Sequence, residues 1–384
     1  MPSSPTGSAD PGPPSLLTVG RVWGRIGALG FGGPPAHIRM LRDQVVAARG
    51  WIDADDFEDG IAACNLLPGP ASTQLAIWSA WRVRGALGGV VGGLAFIAPG
   101  LVAILALAVL FLHDPPRLLQ GAAAGAGAAV AAVALHAALG LVRPSRDRAG
   151  STVRWSAYVG VGLVVGAVAG QWVVLALVAC GLCEVLRRGV GQRALSVVLL
   201  QGVHGLTGTT AVLWVALKVG LLSYGGGFVI VPLMQHDAVR GHHWMTDAEF
   251  LNAVALGQVT PGPVVHTVAV VGYAAGGLGA AVLAAAVAFL PSFVMVLGGA
   301  RGFEALRRDS RVQAFLTGAG PAVIGAIAGS AVPLALALGE AWQFGVLAVA
   351  ALLLLVVRRG VVPVLLACGA TGALGVVAGL PLPG

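Results

Sequence analysis

Two Pro-Gly-Pro triplets are the stretches of this sequence whose residue types point most directly to chemistry. Pro68-Gly69-Pro70 and Pro261-Gly262-Pro263 lie 193 positions apart, each inside an otherwise apolar, helix-compatible run. Proline supplies no backbone N–H and clashes with the preceding turn, so each triplet must interrupt its helix. A helix that restarts after such a break presents free N–H groups and the positive end of its dipole, which is an arrangement suited to an anion.

Neutral hydrogen-bonding side chains and paired glycines surround the two breaks. Glycine pairs at 32–33 and 225–226 let the backbone approach a ligand or the opposing break closely, and no acidic residue lies beside either triplet. A cation site would want carboxylates there, so the pattern favours an anion. Besides the triplets, the predicted substrate-binding residues are Gly32, Gly33, Asn65, Ser72, Thr73, Gly225, Gly226, Gln258, Thr260 and His266, with Gln74 and Thr267 as further neutral partners.

Two cations complete the predicted binding site. Arg25 and Lys218 occupy equivalent positions in the first helix of each half of the chain. An ionisable side chain buried in a membrane costs at least ~2.5 kcal/mol and usually marks a transport pathway, so a matched pair predicts a divalent anion between them. In the alternative interpretation, each side chain reaches the lipid headgroups from near a helix end.

The histidines divide into two groups. Those in polar loops are expected to be exposed to water, with a proton-linked role as the alternative hypothesis. His266 closely follows the second triplet and is the better functional candidate, although Thr73 stands at its equivalent position in the first half. The loop histidines are His37, His236, His242 and His243.

The elements that carry these residues occur twice along the chain. Trp51 and Phe57 recur as Trp244 and Phe250 before the triplets, and the segment 125–130 recurs at 318–323, always at the offset of 193. Unrelated helices would not keep one offset through loops as well, so the pattern indicates a duplicated unit. The predicted domains are a disordered N-terminus at 1–15, a first transporter repeat at 16–190, a linker at 191–209 and a second transporter repeat at 210–380.

Composition places the chain among polytopic membrane proteins. Of its 384 residues, 57% are hydrophobic and 10% charged, against roughly 25% charged in soluble domains, and apolar runs longer than the ~20 residues of a spanning helix recur throughout. The net charge of +7 comes from basic residues scattered in short loops, which are topology signals rather than a nucleic-acid surface. The four cysteines are interpreted as packing residues, and neither a metal site nor a cofactor is expected.

The predicted fold is an all-α polytopic membrane protein of two inverted-topology repeats. Each repeat has about five transmembrane helices and one re-entrant Pro-Gly-Pro hairpin, an assignment that gathers most loop arginines on one side of the membrane, as the positive-inside rule requires. Residues 155–187 and 342–380 should each form two crossings, the first pair turning near Gly170-Gln171 and the second interrupted at Arg358-Arg359-Gly360. Inverted halves bring matched breaks together near the bilayer midplane, with both termini outside the cytoplasm.

The doubled motif resembles the chromate ion transporter family in its long, two-domain form. The resemblance rests on "FGGP" at 31–34 followed by "NLLPGP" at 65–70, and on "YGGG" at 224–227 followed by "QVTPGP" at 258–263, with Gly227 where the first half has Pro34. It implies export of chromate across the inner membrane, which lowers cytoplasmic chromate and gives resistance, with sulfate as a close structural analogue. The family's motif residues map onto Phe31, Gly32, Gly33, Pro34, Gly225, Gly226 and both triplets.

The main hypothesis is a multi-pass secondary transporter of the plasma (inner) membrane that exports a tetrahedral dianion. The alternatives are a transporter of sulfate or another oxyanion, or a channel, because the sequence does not distinguish gating from alternating access. An enzyme is not expected, since no paired carboxylates or serine–histidine arrangement lies at membrane depth. The expected partners are chromate or a sulfate-like oxyanion, the lipid bilayer and, as an open alternative, a second copy in a homodimer; no nucleic acid is expected.

Overall fold

The computed structural model describes residues 14–65, 67–112, 115–147, 149–189, 207–223, 227–299 and 309–383. These residues form helices joined by short turns, and no strand occurs among them. Nearly all of the predicted N-terminal segment at 1–15 and of the linker at 191–209 lies outside the described ranges, as do Gly225 and Gly226 of the predicted site.

Helices of the first half follow one another with short connections. The first begins where the Ser15 hydroxyl accepts a hydrogen bond from the Thr18 N–H at 3.1 Å, and the second continues into a π-helical turn at Asp43–Ala47. The helices are α1 (Leu16–Leu29), α2 (Pro34–Arg42), α3 (Ala54–Cys64), α4 (Ala71–Leu112), α5 (Arg117–Ala128), α6 (Val130–Asp147), α7 (Thr152–Val168) and α8 (Val173–Arg187).

The second half repeats this order. Its second helix again runs into a π-helical turn, at His236–Gly241, and its fourth again starts just after a Pro-Gly-Pro triplet, following a 3₁₀ turn at Val264–His266. The helices are α9 (Gly208–Leu222), α10 (Val231–Gln235), α11 (Asp247–Val259), α12 (Thr267–Gly299), α13 (Ser310–Leu336), α14 (Ala341–Ala351) and α15 (Val361–Val377).

Helices α4 and α12 each contain a sharp reversal. Non-helical backbone angles at Arg84-Gly85 divide α4 into a short arm (71–83) and a long arm (86–112), and those at Gly276-Gly277 divide α12 into 267–275 and 278–299. Gly85 and Gly277 have φ of +66° and +72°, which favours glycine. The arms fold back on each other, since a Cβ at position 92 would lie 2.3 Å from the Cβ of Ala80.

The first helix of each half packs on the long arm of the same half. A Cβ at Gly27 of α1 would lie 2.2 Å from the Phe96 carbonyl oxygen, and one at Gly220 of α9 would lie 2.2 Å from that of Ala288. Helices can approach this closely only where no side chain separates them. The same close contact in both halves places α1 and α9 on matching faces of the two central long arms.

The remaining helices form outer bundles around this centre. Helix α13 packs against α7 and α8, and α15 packs against α5. Helices α7 and α8 are joined by a 3₁₀ turn at Gly170–Trp172, so residues 152–187 form two short helices, as predicted. The predicted interruption at Arg358-Arg359-Gly360 also separates α14 from α15.

Length and composition identify a multi-pass membrane protein. Among the described residues, five helical segments are long and apolar enough to cross a membrane, and four further apolar helical segments are shorter. Large apolar side chains such as Leu94, Val102 and Val294 are exposed on the long arms, as expected where lipid replaces water. The number of crossings per half and the opposite orientation of the halves stay predictions. The five long segments are Ala71–Leu112, Arg117–Asp147, Gly170–Arg187, Val264–Gly299 and Ser310–Leu336.

Candidate functional site

Each Pro-Gly-Pro turn contacts helices of the other half. In the first turn (residues 68–70), a Cβ at Gly69 would lie 3.3 Å from the Gly220 carbonyl oxygen and 3.2 Å from Ser292 Oγ. In the second turn (residues 261–263), the Gly262 N–H donates to the Gly30 carbonyl at 3.0 Å, and its neighbour Pro261 lies against Gly100 of α4. The two predicted motifs therefore lie in one central region where the halves meet.

Both turns require glycine at their centre. Gly69 has φ of +119° and Gly262 has φ of +93°, a region that side chains rarely adopt. After the first turn, α4 starts with the N–H groups of Thr73 and Gln74 donating to the Pro70 carbonyl at 2.9 and 3.0 Å. The N–H groups that precede these bonds have no acceptor within their own helix, so they are available to a ligand.

Buried polar atoms without hydrogen-bond partners cluster around the turns. Within the described part of the chain, eight buried side-chain atoms lack a partner, and six of them belong to residues within four positions of a turn or to Ser292, which contacts the first turn. An unpaired buried polar atom costs roughly 1–3 kcal/mol, so a group of them calls for an explanation. The atoms are His37 Nδ1, Thr73 Oγ1, Gln74 Oε1, Ser223 Oγ, Gln258 Nε2, His266 Nδ1, His266 Nε2 and Ser292 Oγ.

Several of these residues form matched pairs across the two halves. Thr73 and His266 stand at equivalent positions just after their triplets, and both are fully buried. Ser292 lies 15 positions after the reversal glycine Gly277, as Gly100 does after Gly85, and these two residues contact opposite turns. Part of the candidate site thus comes from corresponding positions of the repeat, with different side chains at each.

Two buried histidines each pack edge-on against a phenylalanine ring. His37 packs edge-on against Phe96 with ring centroids 5.1 Å apart, and His266 does so against Phe289 at 5.2 Å. His37 Nε2 donates to the Gly30 carbonyl at 2.8 Å, the same carbonyl that the Gly262 N–H reaches. The expectation that His37 is exposed to water is wrong, because this contact and Phe96 enclose the ring completely.

The other loop histidines differ in exposure. His243 is exposed, whereas His242 and His236 are half-buried, and His242 stacks on Trp244 at 4.5 Å. Desolvation lowers the pKa of His236; Asp237 opposes this effect, and Arg240 and Lys218 add to it. These residues have no described contact with either turn.

Several predicted site residues lie at the edge of this cluster. Asn65 and Pro68 are exposed, Gly32 is exposed and Gly33 half-buried, while Ser72 is buried. Thr260 uses its hydroxyl within α11, where it donates to the Leu256 carbonyl at 2.9 Å. Residues that the sequence interpretation did not select are His37, Ser223 and Ser292.

Among the described residues, no contact joins either predicted cation, Arg25 or Lys218, to a Pro-Gly-Pro turn. Arg25 is exposed, on a different face of α1 from Gly27. Lys218 pairs with Asp237 at 2.5 Å, with the two side chains 13% and 14% exposed. Asp237 was not predicted as its partner because the equivalent residue of the first half is the neutral Gln44.

Comparison with known proteins agrees with the repeated architecture. The family model for chromate transporters matches the chain twice, at residues 17–185 and 210–375. A chromate transport protein of Cupriavidus metallidurans is 32% identical, covering 81% of this chain and 80% of the relative. One of Pseudomonas aeruginosa is 31% identical, covering 86% and 83%, and a probable chromate transport protein of Synechococcus elongatus is 29% identical, covering 83% and 84%.

No solved structure matches the chain. The twofold match of the family model, together with relatives of this identity over most of both sequences, is sufficient to assign the family. The chain belongs to the chromate transporter family.

Proposed function

We propose that this protein exports chromate from the cytoplasm through a site between the two Pro-Gly-Pro turns. The observation that carries the proposal is the group of buried polar atoms without partners around these turns. The identity of the substrate is taken from relatives that are named chromate transport proteins. Export across the inner membrane would lower cytoplasmic chromate and give resistance.

The chemistry of the cluster suits a tetrahedral dianion. Hydroxyl groups of Thr73 and Ser292 and the side-chain amide of Gln258 can all donate to anionic oxygens, as can the free N–H groups at the restart of each helix. Hydrogen bonds to a charged partner are roughly twice as strong as neutral ones. Such bonds would satisfy groups that are otherwise buried without partners.

Helix lengths support re-entrant hairpins. Helix α3 has 11 residues and the short arm of α4 covers residues 71–83, so at 1.5 Å per residue neither exceeds about 20 Å. The hydrocarbon core is about 30 Å thick. A chain that enters along α3, turns at residues 68–70 and returns along the short arm would therefore leave on the side from which it came.

Broken first helices support the same architecture. Helices α1 and α2 are separated at residues 30–33, beside the second turn, and together they are long enough to cross the bilayer. Counting this broken pair, the long arm of α4, the α5–α6 segment, α7 and α8 gives five crossings. An odd number of crossings inverts the second half relative to the first.

Membrane potential can drive the proposed export. An inside-negative potential favours the exit of an anion by about 2.3 kcal/mol per charge per 100 mV, so a dianion needs no nucleotide hydrolysis. Arg25 and Lys218 are proposed to hold the dianion in transit, with Asp237 as the competing partner of Lys218.

Everted membrane vesicles test the proposal directly. Vesicles that contain the protein should accumulate chromate when the lumen is positive, and collapsing the potential should abolish accumulation. Uptake no greater than in vesicles without the protein would contradict the function. Undiminished accumulation after collapse would instead contradict the potential as the driving force.

Sulfate or another oxyanion is the second candidate substrate. The donors around the turns recognise charge and tetrahedral oxygen geometry, and none of them is specific for chromium. Competition in the same vesicles separates the candidates. Chromate uptake should resist an excess of sulfate, molybdate or phosphate if chromate is preferred, whereas strong inhibition by one of them would make that anion the substrate.

A further inference from the structure

A buried carboxylate near the end of α8 is surrounded by three arginines. The side chain of Glu184 is fully buried and accepts hydrogen bonds from Arg187 Nη2 at 2.7 Å, Arg188 Nε at 3.2 Å and the Tyr158 hydroxyl at 3.1 Å. Arg154 Nε lies 3.7 Å from the same carboxylate. Glu184 thus holds guanidinium groups from two helices side by side.

The cluster lies at one end of three packed helices. Helix α8 runs antiparallel to α7, because a short turn at Gly170–Trp172 joins them and Arg154 in the first turn of α7 lies beside Glu184 near the end of α8, and Gly318 of α13 packs against Cys180 and Glu184. Helix α7 runs parallel to α13, since Gly325 and Gly329 meet successive turns around Val159 and Leu163. The first turns of α7 and α13 therefore lie at the same end as the last turn of α8.

Positive charge exceeds negative charge in this cluster. Three guanidinium groups share one carboxylate, and the side chains of Arg154, Arg187 and Arg188 are still 35%, 44% and 36% exposed. Each guanidinium group is therefore still partly accessible from outside the protein. The acidic residue at the start of α13, Asp309, uses its carboxylate to cap the Arg311 N–H at 2.7 Å.

Neighbouring aromatic residues place the cluster at the membrane surface. Trp155 and Tyr158 follow Arg154 in the first two turns of α7, and tryptophan and tyrosine are typical of the headgroup level. The apolar spans Gly170–Arg187 and Ser310–Leu336 end or begin here. This is the position expected for residues at the level of the lipid headgroup phosphates.

We propose that Arg154, Arg187 and Arg188 form a binding site for the phosphate of an anionic lipid headgroup. Guanidinium groups match phosphate oxygens with paired N–H donors, and Glu184 keeps three of them together despite their mutual repulsion. The equivalent hairpin in the second half, α14 and α15, has no acidic residue between 341 and 377. The site is consequently separate from the repeated transport centre, and its existence does not depend on the proposed function.

Native mass spectrometry of the full-length protein in nanodiscs tests this site. Phosphatidylglycerol should stay bound to the protein after release from mixed phosphatidylglycerol and phosphatidylcholine discs. The double variant Arg154→Gln/Arg188→Gln keeps the Arg187–Glu184 pair and should lower phosphatidylglycerol binding on the order of tenfold. The matched control Arg143→Gln/Arg146→Gln removes two charges near the end of α6 and should bind the lipid as the unaltered protein does.

Three further results would overturn the proposal. Equal loss in both double variants would overturn the site in favour of general electrostatic attraction. Displacement of the lipid by millimolar glycerophosphate would assign the cluster to a soluble phosphate and overturn the lipid assignment. If the glutamine variant does not fold, Arg154→Lys/Arg188→Lys keeps the charge but removes the paired donors, and unchanged lipid binding by that variant would overturn the proposal.

Discussion

Thr73 and Ser292 carry buried hydroxyl groups without partners. Removing these hydroxyls should weaken chromate transport without lowering the stability of the protein. In Thr73→Val/Ser292→Ala, the apparent KM for chromate should rise on the order of tenfold or more, because bonds to a charged ligand are worth ~1.5–3 kcal/mol each. The Tm should stay unchanged or rise, because the variant no longer buries unpaired hydroxyls. Vesicle uptake and thermal unfolding in detergent measure the two effects.

Ser330→Ala is the matched control for that variant. Ser330 is as buried as Ser292, but its hydroxyl donates to the Ile327 carbonyl at 2.7 Å in α13. Its removal should leave the KM for chromate unchanged. A double variant at 73 and 292 that transports normally would show that the unpaired hydroxyls do not bind substrate.

Lys218 has both a structural partner and a proposed role in transport. In Lys218→Met, the largely buried Asp237 loses its partner, so the unfolding free energy should fall, by about 3 kcal/mol at most. Replacing both members in Lys218→Met/Asp237→Leu should recover stability but not chromate uptake. Restored uptake in the double variant would reduce Lys218 to a structural residue.

Arg25 allows a cleaner comparison because it is exposed. Arg25→Ala should reduce uptake without changing the Tm. Arg21→Ala, on the exposed surface of the same helix, is its control and should do neither. Equal uptake by both variants would favour the interpretation in which Arg25 only reaches the headgroups.

The local sequence pattern identified those candidate residues that lie next to the triplets, but not those that come from elsewhere in the chain. Thr73, Gln258 and His266 could be predicted because they flank the helix breaks. Ser292 lies in an apolar run that resembles an ordinary spanning segment, and only the fold-back of α12 and the contact with Gly69 bring it to the site. His37 stands in a polar loop of the sequence, and only the fold packs its ring on Phe96.

At the level of elements, alanine substitutions at Gly69 and Gly85 distinguish two effects. One is the strain of positive φ, and the other is a steric clash at a close contact. Gly69→Ala would bring a Cβ to 2.7 Å from Gln74 Nε2 and 3.3 Å from the Gly220 carbonyl, in addition to the cost of positive φ. Gly85→Ala meets no atom within 4 Å, so it carries only the conformational cost of roughly 1–2 kcal/mol. Both variants should have a lower Tm, but only Gly69→Ala should lose chromate uptake by more than about tenfold.

Two outcomes would contradict this prediction for Gly69→Ala and Gly85→Ala. Equal transport by the two variants at matched expression would mean that close contact between the first turn and α9 is not needed. Loss of uptake in both would make the reversal at 84–85 as important as the turn itself.

Some helix boundaries followed from residue types, whereas the contacts between helices did not. The sequence predicted the turn near Gly170-Gln171 and the interruption at Arg358-Arg359-Gly360, and the structure has helix ends at both places. The reversals lie at Gly85 and Gly277, where glycine permits positive φ. The duplication predicted that the two breaks come together, but not which helices of the other half each turn would contact. That arrangement depends on close packing at Gly27, Gly100 and Gly220, and small residues are too common in membrane helices to specify a partner.

For the molecule as a whole, two halves that exchange contacts at their centre explain why the site residues occur in matched but unequal pairs. Each turn lies beside the first helix of the other repeat, so a site between the turns would have groups from both halves. Thr73 and His266 lie at equivalent places with different polar side chains, and Ser292 carries a hydroxyl where the first half has Gly100.

Sidedness of labelling tests the proposed inversion. After replacement of the native cysteines at 64, 180, 183 and 368, single cysteines at 50 and 84 flank the first hairpin, and those at 243 and 276 flank the second. If both hairpins are re-entrant, an impermeant maleimide should label 50 and 84 from the cytoplasmic side and 243 and 276 from the opposite side. Labelling of 50 and 84 from different sides would mean that the first hairpin spans the bilayer. In that case the two turns could not enter from opposite leaflets to enclose one anion.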